Sequence, residues 1–281
     1  MRKVLIVLLG VVGVLGLVIA ITIAVVHEPE PTGETGPEAD RMARRIIEWT
    51  KPDAWAKTGA VRWNFAGRFD HVWDRQRGFS KVSWGPYVVL LDLSTQEGVV
   101  RVDGELTSGD RAKDLIEKAY SRWTNDSFWL NPFDGVFDES TQRAIVDVPG
   151  RGKALLVTYK GGGLTPGDSY LWFADEAGQP SAWKMWVAII PVGGLEVSWE
   201  DWIELSTGAK IATMHKGFID LPMSGVEGAA NIGALFKNQP DPFAELVGDS
   251  PKPSSRPAKS TETSTTSGAA SLPAAASQPT P

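Results

Sequence analysis

Apolar and polar residues alternate with a period of two over much of the chain between residues 60 and 226. In the first such run, Val61, Trp63 and Phe65 alternate with Arg62 and Asn64. Successive side chains of a strand point to opposite faces of a sheet, so this alternation predicts strands, and the Gly- and Pro-containing segments between the runs predict turns. The predicted strands are residues 60–65, 71–75, 79–84, 87–93, 99–106, 142–148, 154–160, 170–174, 182–190, 195–205, 209–216 and 218–226.

The hairpin predicted within residues 169–190 is apolar on both faces. Tyr170 and Trp172 point to one face, whereas Leu171 and Phe173 point to the other. A strand with one face in water carries polar residues at every second position. The pattern therefore indicates either that protein covers both faces or that one face lines an apolar space.

Two segments have the helical period instead. Residues 38–50 place apolar side chains on one face and charged side chains on the other, and residues 110–123 repeat the pattern after a cap predicted at Ser108 or Asp110. Residues 125–138 are aromatic but irregular, which predicts an irregular loop that is either a lid or buried. Together these elements predict a mostly β (α+β) fold, a curved antiparallel sheet or open half-barrel covered by helices.

Residues 4–26 are apolar apart from Thr22 and glycines, and a helix of this length is long enough to cross a hydrocarbon core about 30 Å thick. Arg2 and Lys3 precede the run and acidic residues follow it, so the positive-inside rule places the rest of the chain outside the cytoplasm. A cleaved signal peptide is the alternative.

The domain organisation follows from these segments. Residues 1–27 form the predicted transmembrane signal-anchor, residues 28–36 an acidic spacer, and residues 37–248 the β domain. Residues 249–281 are rich in Pro, Ser, Thr and Ala, a composition that predicts a disordered tail.

Composition excludes several classes of function. The net charge is −6 without a basic patch, which argues against nucleic-acid binding, and the chain has no Cys for a thiolate site or lipidation. Its three His lack metal-site or nucleophile spacing, and residues 161–163 lack the Lys of a phosphate loop, so no metal, catalytic residue or cofactor is predicted. A glycan hydrolase stays open as an alternative, because a glycosidase needs two carboxylates across a cleft, and the candidates are Asp70, Asp74, Asp92, Asp168, Glu196, Glu200 and Asp201.

Large aromatic side chains recur at every second position of the predicted strands, and the chain has 12 Trp. Such residues form either an ordinary core or the wall of a concave apolar pocket, in which each CH₂ group of an acyl chain gains about 0.8 kcal/mol on leaving water. The candidate ligand-binding residues are Trp63, Phe65, Trp73, Phe79, Trp84, Tyr170, Trp172, Trp183, Met185 and Trp199.

The order of elements, together with FDHVWDRQRGF (69–79), NDSFWL (125–130) and SYLWFADEAGQP (169–180), resembles the LolA/LolB-like lipoprotein carriers of bacteria. The resemblance covers residues 38–226 and matches no functional residue one to one. It implies an open half-barrel that binds acyl chains, here tethered to the periplasmic side of the inner membrane.

The leading hypothesis is therefore a membrane-tethered, non-catalytic protein that binds or transfers a lipid or a lipidated protein in an apolar pocket. The alternative is a non-catalytic structural or interaction module of the cell envelope, in which residues 250–281 serve as a docking segment. An empty apolar space would favour the carrier, whereas an interior filled by its own Trp side chains would favour the module.

Overall fold

The computed structural model describes residues 25–161, 165–237 and 239–248, which are mostly β. Its strands are β1 (Glu34–Thr35), β2 (Ala60–Phe65), β3 (Phe69–Asp74), β4 (Phe79–Trp84), β5 (Tyr87–Asp92), β6 (Glu97–Val102), β7 (Glu105–Thr107), β8 (Thr141–Val148), β9 (Gly152–Tyr159), β10 (Ser169–Ala174), β11 (Pro180–Trp186), β12 (Leu195–Ser198), β13 (Glu200–Glu204), β14 (Lys210–His215) and β15 (Leu221–Ala229). Its helices are α1 (Pro37–Thr50), α2 (Pro52–Ala56), α3 (Asp110–Leu130), α4 (Ile232–Leu235) and α5 (Ala244–Val247).

The strands form two antiparallel sheets. One has six strands in the order β1-β8-β9-β10-β11-β12, and the other has nine in the order β13-β14-β15-β2-β3-β4-β5-β6-β7. The predicted mostly β, antiparallel class is confirmed, and the two sheets do not make a closed barrel. Sequence neighbours pair through most of the order, as expected where short turns join the strands.

The strand predicted at residues 195–205 is broken at Trp199 into β12 and β13, which belong to different sheets. Beside this break, the Ser198 backbone N–H donates to the Lys216 carbonyl at 2.8 Å, and the Lys216 N–H donates to Ser198 Oγ at 3.0 Å. Asp201 has a φ of 51°, a conformation that non-glycine residues seldom adopt, and it marks the same irregularity. One chain segment therefore passes from the first sheet to the second.

The predicted hairpin of β10 and β11 is confirmed, with Trp172 directly opposite Trp183. The prediction that its second strand continues to residue 190 is wrong, because β11 ends at Trp186 and residues 187–194 form a loop. An apolar run alone does not distinguish a strand from an apolar loop. Pro180, predicted in the turn, is instead the first residue of β11, a position that Pro tolerates.

Helix α1 packs on β8 and β9, and α3 packs on β4, β5 and β6. Helix α3 continues to Leu130, so the prediction of an irregular loop from residue 125 is wrong for its first six residues. Asn, Asp and Ser are weak helix formers, and here contacts with the sheets override that preference. The predicted side-chain cap is also wrong, because Gly109 occupies the N-cap position and α3 has no side-chain cap hydrogen bond.

The six-stranded sheet is apolar on both faces, and each face has a different cover. Helix α1 and the aromatic interior cover one face, while Leu171, Phe173 and Leu156 lie on the other. Over this second face, the Glu28 backbone carbonyl accepts a hydrogen bond of 2.8 Å from Nε1 of Trp186 on β11. Gly33 lies against Ala144 and Val146 on β8. Residues 28–33, named the strap below, thus connect points on β11 and β8.

The strap has little slack. Strands β11 and β8 are three strand spacings apart, or about 14 Å, and five residues span about 17 Å when extended. It therefore crosses β10 and β9 almost directly. The segment that the sequence marks as an acidic spacer covers part of the outer face and then pairs as β1 with β8.

Among the residues that the structure describes, no helix is long and apolar enough to cross a membrane. The predicted signal-anchor lies outside them except for Val25, Val26 and His27, and the predicted tail, residues 249–281, lies outside them entirely.

The first prediction concerns the strap. A Cβ atom at Gly33 would approach the Ile145 carbonyl oxygen to 2.6 Å, so Gly33→Val should lift the strap and destabilise the fold by about 1–3 kcal/mol. A Glu-specific protease should then cleave the Glu34–Thr35 bond faster, as followed by mass spectrometry. The control is Gly233→Ala, whose new methyl group meets nothing closer than 3.4 Å. Equal cleavage rates in both variants would contradict a strap held against the sheet.

Candidate functional site

The ten candidate ligand-binding residues fall into two groups. Five residues on or next to the six-stranded sheet pack together, and we name them the hairpin cluster: Tyr170, Trp172, Trp183, Met185 and Trp199. Those on the nine-stranded sheet that face α3 form the α3 cluster: Trp63, Phe65, Trp73 and Trp84. Phe79 belongs to neither cluster and packs on Phe243, with ring centroids 5.8 Å apart. The structure therefore brings five of the predicted residues together in the hairpin cluster and four in the α3 cluster.

The hairpin cluster is filled by its own side chains. Trp172 and Trp183 have no exposed surface. The ring of Phe133 lies 5.2 Å from Trp172, and those of Tyr170 and Trp199 lie 4.8 Å and 5.0 Å from Trp183. These separations are those of aromatic rings in contact, so these neighbours occupy the space beside the two indoles. Burial also raises the pKa of the Tyr170 hydroxyl, which keeps the group neutral.

A seam joins the two clusters at the C-terminal end of α3. The Trp129 ring lies 5.0 Å from Trp183 and 6.4 Å from Phe65, and Phe128 stacks on Trp183 at 5.7 Å. Both seam residues are only half-buried. The sequence does not predict them as site residues, because the pattern of residues 125–138 indicates an irregular segment, although this segment is rich in aromatic residues.

Next to the seam, α3 carries a buried polar pair with β3. His71 Nε2 and Asp126 Oδ2 are 2.8 Å apart, and neither side chain is exposed. The Asn125 side chain donates to the other carboxylate oxygen at 2.8 Å, and Trp63 stacks on the His71 ring at 4.5 Å. A carboxylate out of water needs such donors, so this pair ties α3 to the nine-stranded sheet at a fixed position. Its complete burial gives a substrate no access to it.

His215 on β14 is also buried beneath the seam. Its Nδ1 lies 3.1 Å from the Ser198 carbonyl, and Trp129 packs on its ring at 5.2 Å. Burial lowers the pKa of His215 to about 4, because the charged imidazolium is poorly solvated there. The ring is therefore neutral at pH 7 and serves as part of the apolar interior.

Of the seven carboxylates considered for glycan hydrolysis, six are engaged in different places and the seventh, Asp201, is exposed. Asp74 is buried with its carboxylate 2.6 Å from Arg77, and Glu196 pairs with Arg151 at 2.8 Å. Asp168, a buried residue just before β10, accepts hydrogen bonds from the Thr165 hydroxyl and from the Ala188 N–H. Asp70, Asp92 and Glu200 bond to Asn64, Ser94 and Lys216. Among the described residues, no group of His, Cys, Asp or Glu is arranged to hold a metal ion.

Two adjoining clefts lie on the surface, away from the aromatic interior. They have volumes of about 480 and 430 Å³, and Arg151, Lys153 and Asp175 line both. Of the ten candidate residues only Trp199 reaches either cleft. These clefts are charged and open, unlike the concave apolar site that the sequence predicts for an acyl chain.

Comparison of the chain with protein-family models gave no match, and comparison with curated proteins gave none either.

The second prediction concerns the buried pair. Asp126→Ala removes the partner of His71 Nε2 and leaves a buried polar ring unpaired, so the free energy of unfolding should fall by about 3 kcal/mol. Asp126→Asn retains an acceptor and should cost less. Denaturant unfolding of both variants measures the difference. A loss below 1 kcal/mol in Asp126→Ala would mean that the pair does not hold α3 in place.

The third prediction concerns pH. The pKa of His215 is about 4 when folded and 6.5 when unfolded, so as the pH falls from 6.5 to 4 only the unfolded chain gains this proton. Stability should fall over this window by up to about 3 kcal/mol on account of this residue and lose nothing more from it below pH 4. His215→Gln should lack this component, whereas His27→Gln should retain it. Parallel stability–pH curves for wild type and His215→Gln would contradict the assignment.

Proposed function

We propose that this chain is a membrane-tethered, non-catalytic module of the extracytoplasmic side, whose aromatic interior is a structural core. The observation that carries the proposal is the complete burial of Trp172 and Trp183 among aromatic neighbours about 5 Å away. A wall that awaits an acyl chain would leave such rings facing open space. Contacts with other envelope components would then use the outer surface, where the two charged clefts lie.

The same proposal extends to the arrangement of the two sheets. The hydrogen bonds between Ser198 and Lys216 link the end of β12 in one sheet to the residue after β14 in the other, and α1 and α3 pack on apolar sheet faces. We infer one strongly curved sheet with helices in its concavity, which is the half-barrel arrangement of the LolA/LolB-like carriers. In this chain the helices and the Trp side chains take the volume that a carrier gives to its ligand.

Binding or transfer of an acyl chain is the second candidate, and the seam favours it. Phe128 and Trp129 are half-buried and stand between the two clusters, so a small displacement of the end of α3 would open an apolar path to both. The lipid would then take the place of side chains that now touch one another. The interior stays closed in a structural module, whereas it must open at the seam in a protein that binds an acyl chain.

The fourth prediction tests whether the hairpin cluster is core. Trp183→Ala should lower the free energy of unfolding by about 3–5 kcal/mol, because it removes a fully buried indole from close packing. Trp186→Ala is the control, since this half-buried neighbour on β11 bonds to the strap and should cost less. Denaturant unfolding of the full-length chain in detergent, followed by near-ultraviolet circular dichroism, measures both. Equal small losses would contradict a packed core.

The same preparation decides between the two candidates. A fluorescent fatty acid titrated into the wild type should show no saturable energy transfer from Trp if the chain is a closed module. Saturable transfer with about one site per chain, lost in Trp129→Ala and retained in Trp49→Ala, would overturn the module and favour acyl binding at the seam.

A further inference from the structure

The loop at residues 187–194 is fastened to the first described residues of the chain. His27 Nδ1 accepts a hydrogen bond from the Gly193 N–H at 3.0 Å, and the Glu28 N–H donates to the Gly193 carbonyl at 3.0 Å. Lys184 adds an ion pair to Glu28 at 2.6 Å. These contacts hold residues 27–28 beside the loop, so the position of one fixes the position of the other.

This attachment leaves almost no free chain between the predicted membrane span and the loop. The apolar run ends at Val26, and one residue extends about 3.6 Å at most. The headgroup layer on each side of a bilayer is about 5–8 Å thick. If residues 4–26 cross the membrane, Gly193 and its loop therefore lie at the headgroup layer.

The side chains at this end of the molecule suit that position. Ile189, in the loop, is 73% exposed, and Phe218, in the turn between β14 and β15, is 90% exposed. That turn is at the same end, because Gly217 packs against Glu196 and Val197, just after the loop. Of the nine large apolar side chains that are exposed in the described residues, five are here: Val25, Val26, Ile189, Phe218 and Ile219.

We propose that residues 187–194, together with Phe218 and Ile219, form a lipid-contacting surface that seats the domain on the bilayer beside its anchor. The occupant of this surface is the lipid interface, because the predicted span ends one residue from the contact at His27. The inference rests on the predicted anchor and is independent of whether the interior binds an acyl chain. It also orients the domain, because residues 195–204 lead away from the bilayer towards Ile203, which lies at most about 26 Å further along the chain.

The absence of Cys from the sequence allows a direct test by single-site labelling. Ile189→Cys, Phe218→Cys and, as the matched control, Ile203→Cys are each labelled with the environment-sensitive fluorophore NBD in the full-length chain. The proteins are reconstituted in vesicles of phosphatidylethanolamine and phosphatidylglycerol, with and without a lipid that carries a nitroxide quencher near its headgroup. All three positions are exposed, so the labels should leave the fold intact, as circular dichroism checks.

The labels at Ile189 and Phe218 should emit at shorter wavelength and be quenched several-fold more than the label at Ile203. Equal quenching at all three positions, in protein that alkaline carbonate does not extract, would overturn the lipid-contacting surface while leaving the anchor in place. Extraction by carbonate would remove the anchor itself and the proposal with it. Neither result bears on the fatty-acid titration, so failure of this inference is distinguishable from failure of the proposed function.

Discussion

The fold depends on the packing of the Trp183 indole between the six-stranded sheet and the end of α3. Phe128 stacks on this ring and Trp129 meets it edge-on, so the last turns of α3 are held although their sequence is poor in helix formers. The burial of large aromatic surfaces is the strongest favourable contribution available to such a site. The hydrogen bond between His71 and Asp126 fixes the position of α3 on the sheet, since this buried bond is satisfied only at one position of the helix.

The β10–β11 hairpin is apolar on both faces, and a different part of the chain covers each face. Its inner face meets aromatic side chains, and part of its outer face lies beneath the strap, which is bonded to Trp186 at Glu28 and packs on β8 at Gly33. A two-sided apolar strand therefore requires a cover, but the cover need not be a ligand. We propose that the strap, which continues from the predicted anchor, also sets the distance between the domain and the bilayer.

Much of the architecture was predictable because it follows from local periodicity and turn residues. The antiparallel meander, the hairpin at residues 169–186 and helix α1 are confirmed. The end of α3, the loop after Trp186 and the break at Trp199 were not predictable, because each depends on contacts between segments far apart in sequence. The same holds for the site: the alternation identified buried aromatic positions, but period alone cannot say whether the space before them is filled. The partner of His71 was invisible for that reason, since Asp126 is 55 residues away.

The aromatic interior is closely packed by the chain's own side chains, with Trp172 and Trp183 fully buried. Hydrogen exchange of the indole N–H groups, followed by nuclear magnetic resonance with Trp-selective labelling, reports whether this packing opens. The indoles of Trp172 and Trp183 should exchange only through global unfolding, with the same dependence on denaturant as the whole fold. Fast exchange of these two groups under native conditions, while the backbone of β10 and β11 stays protected, would contradict it and indicate an interior that opens to admit a guest.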